Sequence, residues 1–215
     1  MLIRRLELWL AATNTYVVAP ETGGPAVVID APPDCLDPVA GLLAAHDLVP
    51  TALLVTHGHV DHLGGAGSFV AGTGVSVYLH PDDDFLARRP EEQLRTLMGT
   101  VPPGDYRSPE SYRDLSDGLS LDLAGLRLDV VATPGHTPGH CCFYLSEEAI
   151  LFSGDQLFAG SIGRTDLPGG DYQTLMKSMR EKVIPLDDGV TVMPGHGPST
   201  TIGRERRSNP FLVGV

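Results

Sequence analysis

Apolar residues fall along this chain in short runs separated by small and polar residues. Residues 6–10 and 16–18 read as strands, with Thr13 and Asn14 between them, and 26–29 is a fully apolar run ending at Asp30. Residues 22–25 have turn composition, so the N-terminal stretch predicts a meander of three strands. Over 37–46, Pro38 followed by Val39, Leu42 and Leu43 predicts a helix. Residues 52–55 predict a buried strand, the stretch after His62 with Phe69 and Val70 a helix, and 75–79 another strand. The middle of the chain thus reads strand, helix, strand, helix, strand.

Residues 81–115 are polar and rich in Asp, Glu and Pro. They predict one or two short helices, clearest at 91–98, in a surface excursion. Strands resume at 126–132, 141–145 and 149–152. Residues 172–183 have helical spacing with Asp171 as cap, and 190–193 reads as the last strand. No repeat and no linker divides the chain. One domain over 1–215, of two sheets with helices outside, is the economical expectation.

Composition narrows the partners. Of 215 residues, 42% are apolar and 20% charged, a globular balance. Fifteen basic against 27 acidic residues give a net charge of −12, which repels phosphate backbones, so no nucleic-acid partner is expected. Cys35, Cys141 and Cys142 cannot build a disulfide framework; reduced thiols point to the cytoplasm. No apolar stretch reaches the ~18 residues of a membrane helix. Arg4, Arg5 and Glu7 interrupt the start, so neither a signal peptide nor a membrane anchor is expected.

The chemistry collects where strands end. Val55 runs into Thr56–His57–Gly58–His59–Val60–Asp61–His62, Val131 into Ala132–Thr133–Pro134–Gly135–His136, Phe152 into Ser153–Gly154–Asp155, and Met193 into Pro194–Gly195–His196. Rigid scaffolds hold reactive side chains on such loops. The run H-x-H-x-D-H would arise by chance on the order of once per thousand such chains. Imidazole and carboxylate are ligands for borderline divalent metals, zinc above all. His57, His59, Asp61 and His62 lie too close in sequence to surround one ion; His136, Asp155 and His196 are placed to complete the set. One tetrahedral zinc needs four ligands, so seven candidates suit two ions with one carboxylate bridging. Two adjacent ions activate water and polarise a carbonyl or phosphoryl oxygen, making hydrolysis the default reaction. The nucleophile elbow G-x-S-x-G and the P-loop are absent. The other histidines carry blander readings: His46 near a helix end, His80 in a turn before Pro81, and His140 exposed to solvent rather than supporting the ligands.

T-H-G-H-V-D-H (56–62), T-P-G-H-T-P-G-H (133–140), S-G-D (153–155) and P-G-H-G-P (194–198) together resemble the metallo-β-lactamase superfamily, nearly from end to end of the chain. The resemblance implies an α+β fold, a four-layer αββα sandwich of two mixed sheets with helices on the outer faces. It implies His57, His59 and His136 on one metal, Asp61, His62 and His196 on the other, and Asp155 as the bridge. Zinc is the expected ion, with iron or manganese as alternatives. True β-lactamases carry another residue, such as Cys or Ser, where Asp155 stands. Flavodiiron proteins carry Glu where His59 stands.

Residues 160–171, G-S-I-G-R-T-D-L-P-G-G-D, look like the glyoxalase II-like group, which also takes in the persulfide dioxygenases, and the tail 203–212 is similar to compact bacterial members. Full glyoxalase II enzymes continue into a helical domain that helps hold glutathione; this chain ends 19 residues after His196. The resemblance implies a hydrolase of small-molecule thioesters of the hydroxyacylglutathione type, using a metal-bound hydroxide. Asp61 and Asp155 are its catalytic carboxylates, Asp61 also holding the nucleophile's proton. Arg164 is the candidate contact for a substrate anion, against an ion pair with Asp166. The alternatives are a persulfide dioxygenase with one iron on His57, His136 and Asp155, a lactonase-like hydrolase, and a metal-binding module without activity.

Overall fold

The computed structural model describes residues 1–213; Gly214 and Val215 of the expected 1–215 domain lie outside the described residues. Two compact units are distinguished, one of Met1–Leu115 with Asp122–Leu126, the other of Ser116–Leu121 with the chain from Arg127 onward.

In the first unit β1 (Leu2–Leu8), β2 (Thr13–Ala19) and β3 (Gly24–Ile29) form the expected antiparallel meander. Trp9 and Leu10 read as strand from their apolarity, but they turn the chain instead, Trp9 at φ 61°. After α1 (Leu36–Ala45) come β4 (Leu48–Leu54), α2 (Val60–Leu63), α3 (Ala66–Thr73) and β5 (Ser76–Leu79). Helical crossovers make β4 and β5 parallel additions beside β3. Then follow α4 (Asp84–Ala87), α5 (Pro90–Met98) and the short β6 (Arg113–Asp114), which completes a mixed sheet in the order β1-β2-β3-β4-β5-β6. Val17, Val28, Leu53, Val55, Phe69 and Val77 are among the side chains that bury its core.

The 81–115 stretch is more than a surface excursion. Asp83, Leu86, Leu94, Tyr106 and Leu115 are buried within it, and Leu94 and Tyr106 pack with Val60. Its polarity lies on the outer face, where Glu91 meets Arg95 and Asp84 meets Arg88 one helical turn apart.

From Ser120 the chain carries β7 (Ser120–Leu123), β8 (Leu126–Ala132), β9 (Cys141–Leu145), β10 (Ile150–Gly154), the hairpin β11 (Leu157–Phe158) and β12 (Ser161–Ile162), α6 (Tyr172–Ser178), β13 (Thr191–Pro194), β14 (Thr200–Thr201) and α7 (Ile202–Ser208), all in the second unit but for Asp122, Leu123 and Leu126. Its sheet runs β14-β13-β10-β9-β8-β7. Asp171 caps α6 as expected, accepting from Thr174 N at 2.7 Å. β13 is not the last strand: the two-residue β14, too short for any hydrophobic pattern to announce, pairs back onto it. The parallel β10–β13 ladder shifts register between Phe152 and Gly154, one residue before Asp155, and such an irregularity re-aims the next side chain. Leu151, Leu175, Met179, Val192 and Ile202 are among those in this unit's own core. Among the described residues no helix is long and apolar enough to cross a membrane.

Candidate metal centre

In the first unit the ligand loop leaves β4 directly. Asp30, just past β3, anchors it. One carboxylate oxygen accepts from Thr56 N at 2.8 Å; the other accepts from Thr56 Oγ1 at 2.9 Å and from His62 Nδ1 at 2.8 Å. Because the Thr56 hydroxyl donates to Asp30, it accepts from His57 Nδ1, 3.0 Å away. His57 and His62 therefore carry a ring hydrogen on Nδ1 and turn Nε2 the other way. His57 Nε2 lies 3.1 Å from His59 Nδ1, and His62 Nε2 lies 3.7 Å from Asp61 Oδ2. Asp30 holds φ at 61°, a left-handed backbone that Asp tolerates better than most residues.

The 81–115 stretch holds the same loop from its other side. Asp83 accepts from Gly58 N at 2.8 Å, while Gln93 donates to Gly58 O and accepts from Val60 N, both at 3.0 Å. Gly58 must be glycine here: a Cβ would come within 2.9 Å of Asp83 O.

In the second unit His136 donates its Nδ1 hydrogen to the carbonyl of Arg164 at 2.7 Å. Its Nε2 lies 3.5 Å from Asp155 Oδ2, and His196 Nε2 lies 3.6 Å from that same oxygen. Asp155 is steadied by His140, whose Nε2 accepts from Asp155 N at 3.0 Å and whose Nδ1 lies 2.8 Å from Thr133 Oγ1. With Nε2 accepting, the His140 hydrogen sits on Nδ1 and goes to Thr133. The expectation of an exposed His140 is corrected: it is fully buried, because the loop closes over it and the Asp155 amide needs a partner.

These distances fit divalent metals. Ligands 2.0–2.1 Å from a tetrahedral ion stand about 3.4 Å apart. Imidazole nitrogens and carboxylate oxygens gathered at this spacing are the donor types that a divalent ion takes. The one oxygen of Asp155 shared by two imidazoles has the form of a bridging ligand. His57, His59, His62, His136 and Asp155 are buried, whereas Asp61 and His196 keep 21% and 27% side-chain exposure, which opens their side to solvent.

Arg164 spends its side chain on Asp166, at 2.7 and 2.8 Å, and the guanidinium holds the Asp166 carboxyl down at about 2. Its carbonyl is the part that reaches a ligand. His46 closes α1 and accepts from Arg4 Nε, and His80 Nδ1 accepts from Asp82 N in its turn, as their bland readings expect. Asp30, Thr56, Asp83 and Gln93 were not visible as site residues in sequence. Only the Asp30 position at the end of an apolar run, matching the other strand-end loops, hinted at one of them. All three cysteines are free and buried, and burial pushes the Cys35 and Cys142 thiols up to about 12.

The family description "Metallo-beta-lactamase superfamily" matches residues 8–196. Hydroxyacylglutathione hydrolase GloC of Haemophilus influenzae is 43% identical over 167 residues, 77% of each chain. The crystal structure of TTHA1623 in a di-iron-bound form superposes with a TM-score of 0.87 at 38% identity, over 97% of this chain and 100% of that one. The crystal structure of BLEG-1 B3 metallo-beta-lactamase does so with a TM-score of 0.87 at 36% identity, over 99% and 100%. The two mixed six-stranded sheets with flanking helices are the fold expected from the sequence.

Proposed function

Since the chain belongs to the metallo-β-lactamase superfamily and is a metal-dependent hydrolase, we propose that it hydrolyses small thioesters of the hydroxyacylglutathione type at a dinuclear centre. His57, His59 and His136 would hold one ion and Asp61, His62 and His196 the other, with Asp155 placed to serve both. The observation that carries this reading is the shared Asp155 oxygen, with an imidazole Nε2 at 3.5 Å and another at 3.6 Å. The thioester choice rests on the relative named a hydroxyacylglutathione hydrolase and on the 160–171 loop. Zinc is the proposed ion; the di-iron form of a structural relative keeps iron as its rival.

Bound divalent ions would supply an activated water and a Lewis acid for the thioester carbonyl. The chain's own residues prepare for this. Asp30, Thr56 and the Arg164 carbonyl keep three imidazoles in the tautomer that presents Nε2. Asp61, partly exposed, offers its carboxylate to a hydrogen of the attacking water and orients it. His140 keeps the Asp155 backbone in place while charge develops.

The test pairs metal analysis with substrates on purified protein. Two ions per chain with turnover of hydroxyacylglutathione is the expected result. One tightly held iron with oxygen uptake on a persulfide, or β-lactam opening without thioester hydrolysis, would overturn the proposal.

A further inference from the structure

The sequence leaves α7 and its Glu205 and Asn209 without a role, yet both side chains are buried, Glu205 to 1% exposure and Asn209 completely. Glu205 takes three donors. Thr200 Oγ1 donates to Oε1 at 2.6 Å; Gly160 N and Asn209 Nδ2 each donate to Oε2 at 2.8 Å. Asn209 Nδ2 also donates to Ser161 O at 3.1 Å. Gly160 and Ser161 form the tip and return of the β11–β12 hairpin, so one carboxylate and one amide on successive turns grip that hairpin.

The hairpin and the two residues that follow it reach both imidazoles that flank Asp155. The Phe158 ring meets the His196 ring edge-on, centroids 6.1 Å apart. Just beyond β12 the chain passes so near that a Cβ on Gly163 would fall 1.9 Å from Asp155 O and 3.1 Å from His136 Nδ1. The next residue supplies the carbonyl that fixes the His136 tautomer. Ser153 Oγ donates to Leu157 O at 2.9 Å, tying the hairpin to the Asp155 loop.

We propose that Glu205, seconded by Asn209, is a positioning residue that clamps the β11–β12 hairpin and thereby sets His136 and His196 around Asp155 for metal binding. This rests on the metal reading of those three residues. Groups one shell beyond metal ligands typically govern affinity by about 10–100-fold, and a group acting through a hairpin belongs at the lower end.

The experiment measures metal affinity by competition with a chromophoric chelator, using zinc, beside thermal unfolding. Glu205→Ala is expected to loosen zinc about tenfold. Glu205→Gln is expected to recover most of that, because one oxygen still serves Gly160 and Asn209 while the Thr200 hydroxyl turns to accept from the new amide. Leu128→Ala, buried in β8 and without a bond to the hairpin, controls for stability: its melting temperature should fall with zinc affinity unchanged. Wild-type affinity in Glu205→Ala, or an equal loss in Leu128→Ala, would overturn the clamp. Should Glu205→Ala not fold, Phe158→Leu, at a partly exposed site, carries the test: weakened zinc supports the clamp and unchanged zinc overturns it. Wild-type protein that binds no zinc or iron at all would instead remove the metal reading itself.

Discussion

Three imidazoles of the candidate centre, those of His57, His62 and His136, are oriented by a neighbour holding Nδ1. Asp30 serves two of them, His62 directly and His57 through Thr56. Asp30→Asn tolerates the same left-handed backbone but has one acceptor oxygen where three donors arrive, so metal affinity should fall about 10–100-fold, read by chelator competition. His140→Ala leaves the buried Asp155 amide without its acceptor and should lower metal content and activity together, whereas a solvent-exposed histidine would do neither. Arg164→Ala is expected to leave metal content alone, because the group that meets His136 is a backbone carbonyl that every residue has. If the guanidinium also meets the substrate anion, KM rises in a thioester assay; an unchanged KM assigns it wholly to Asp166.

At the scale of elements, the strand-end loops were legible because apolar runs stop abruptly at Gly, His and Asp. α1, β9 and the apolar part of the meander were legible from their runs, whereas Thr13 and Asn14, polar and expected between strands, lie fully buried inside β2. In the 81–115 stretch the helix at 91–98 was legible, but its packing was not, because α5 shows Glu and Arg outward and only Pro90 and Leu94 are buried. Yet it holds the metal loop through Asp83 and Gln93. Leu94→Ala should cost about 2–5 kcal/mol in denaturant unfolding, an ordinary core truncation. Gln93→Ala should cost less, about 1–3 kcal/mol for the stranded Gly58 and Val60 groups, but should lower metal affinity more than Leu94→Ala does.

For the whole molecule, each unit buries a core of its own, with the ligands on loops at strand ends. Chelation should therefore lower the melting temperature without erasing the far-UV circular dichroism. A ligand present at a hundred times its Kd stabilises by about 2.7 kcal/mol, and two ions contribute twice. Loss of secondary structure on chelation would mean that metal, rather than apolar burial, organises the chain. The cysteines report independently on the packed state. With Cys35 and Cys142 raised to about 12 and Cys141 fully buried, a thiol reagent at pH 8 should label none of the three until the protein unfolds.

Sequence by itself determined which residue types stand at the ends of strands, and ligand chemistry needs little more than that. H-x-H-x-D-H, His136, Asp155 and His196 stood out as candidates because His and Asp among glycines at strand ends have few structural uses. Sequence also determined the strand-rich α+β class, through short apolar runs and a helix where Val39, Leu42 and Leu43 recur. Only the tertiary structure decided which nitrogen His62 and His136 present, because that depends on partners distant in the chain: Asp30 for His62, 32 residues away, and the Arg164 carbonyl for His136, 28 away. It also decided that His140 is buried and that the Arg164 side chain pairs with Asp166. A hydrogen bond between remote residues leaves no periodicity and no local composition, so it becomes visible only when the fold has brought both ends together.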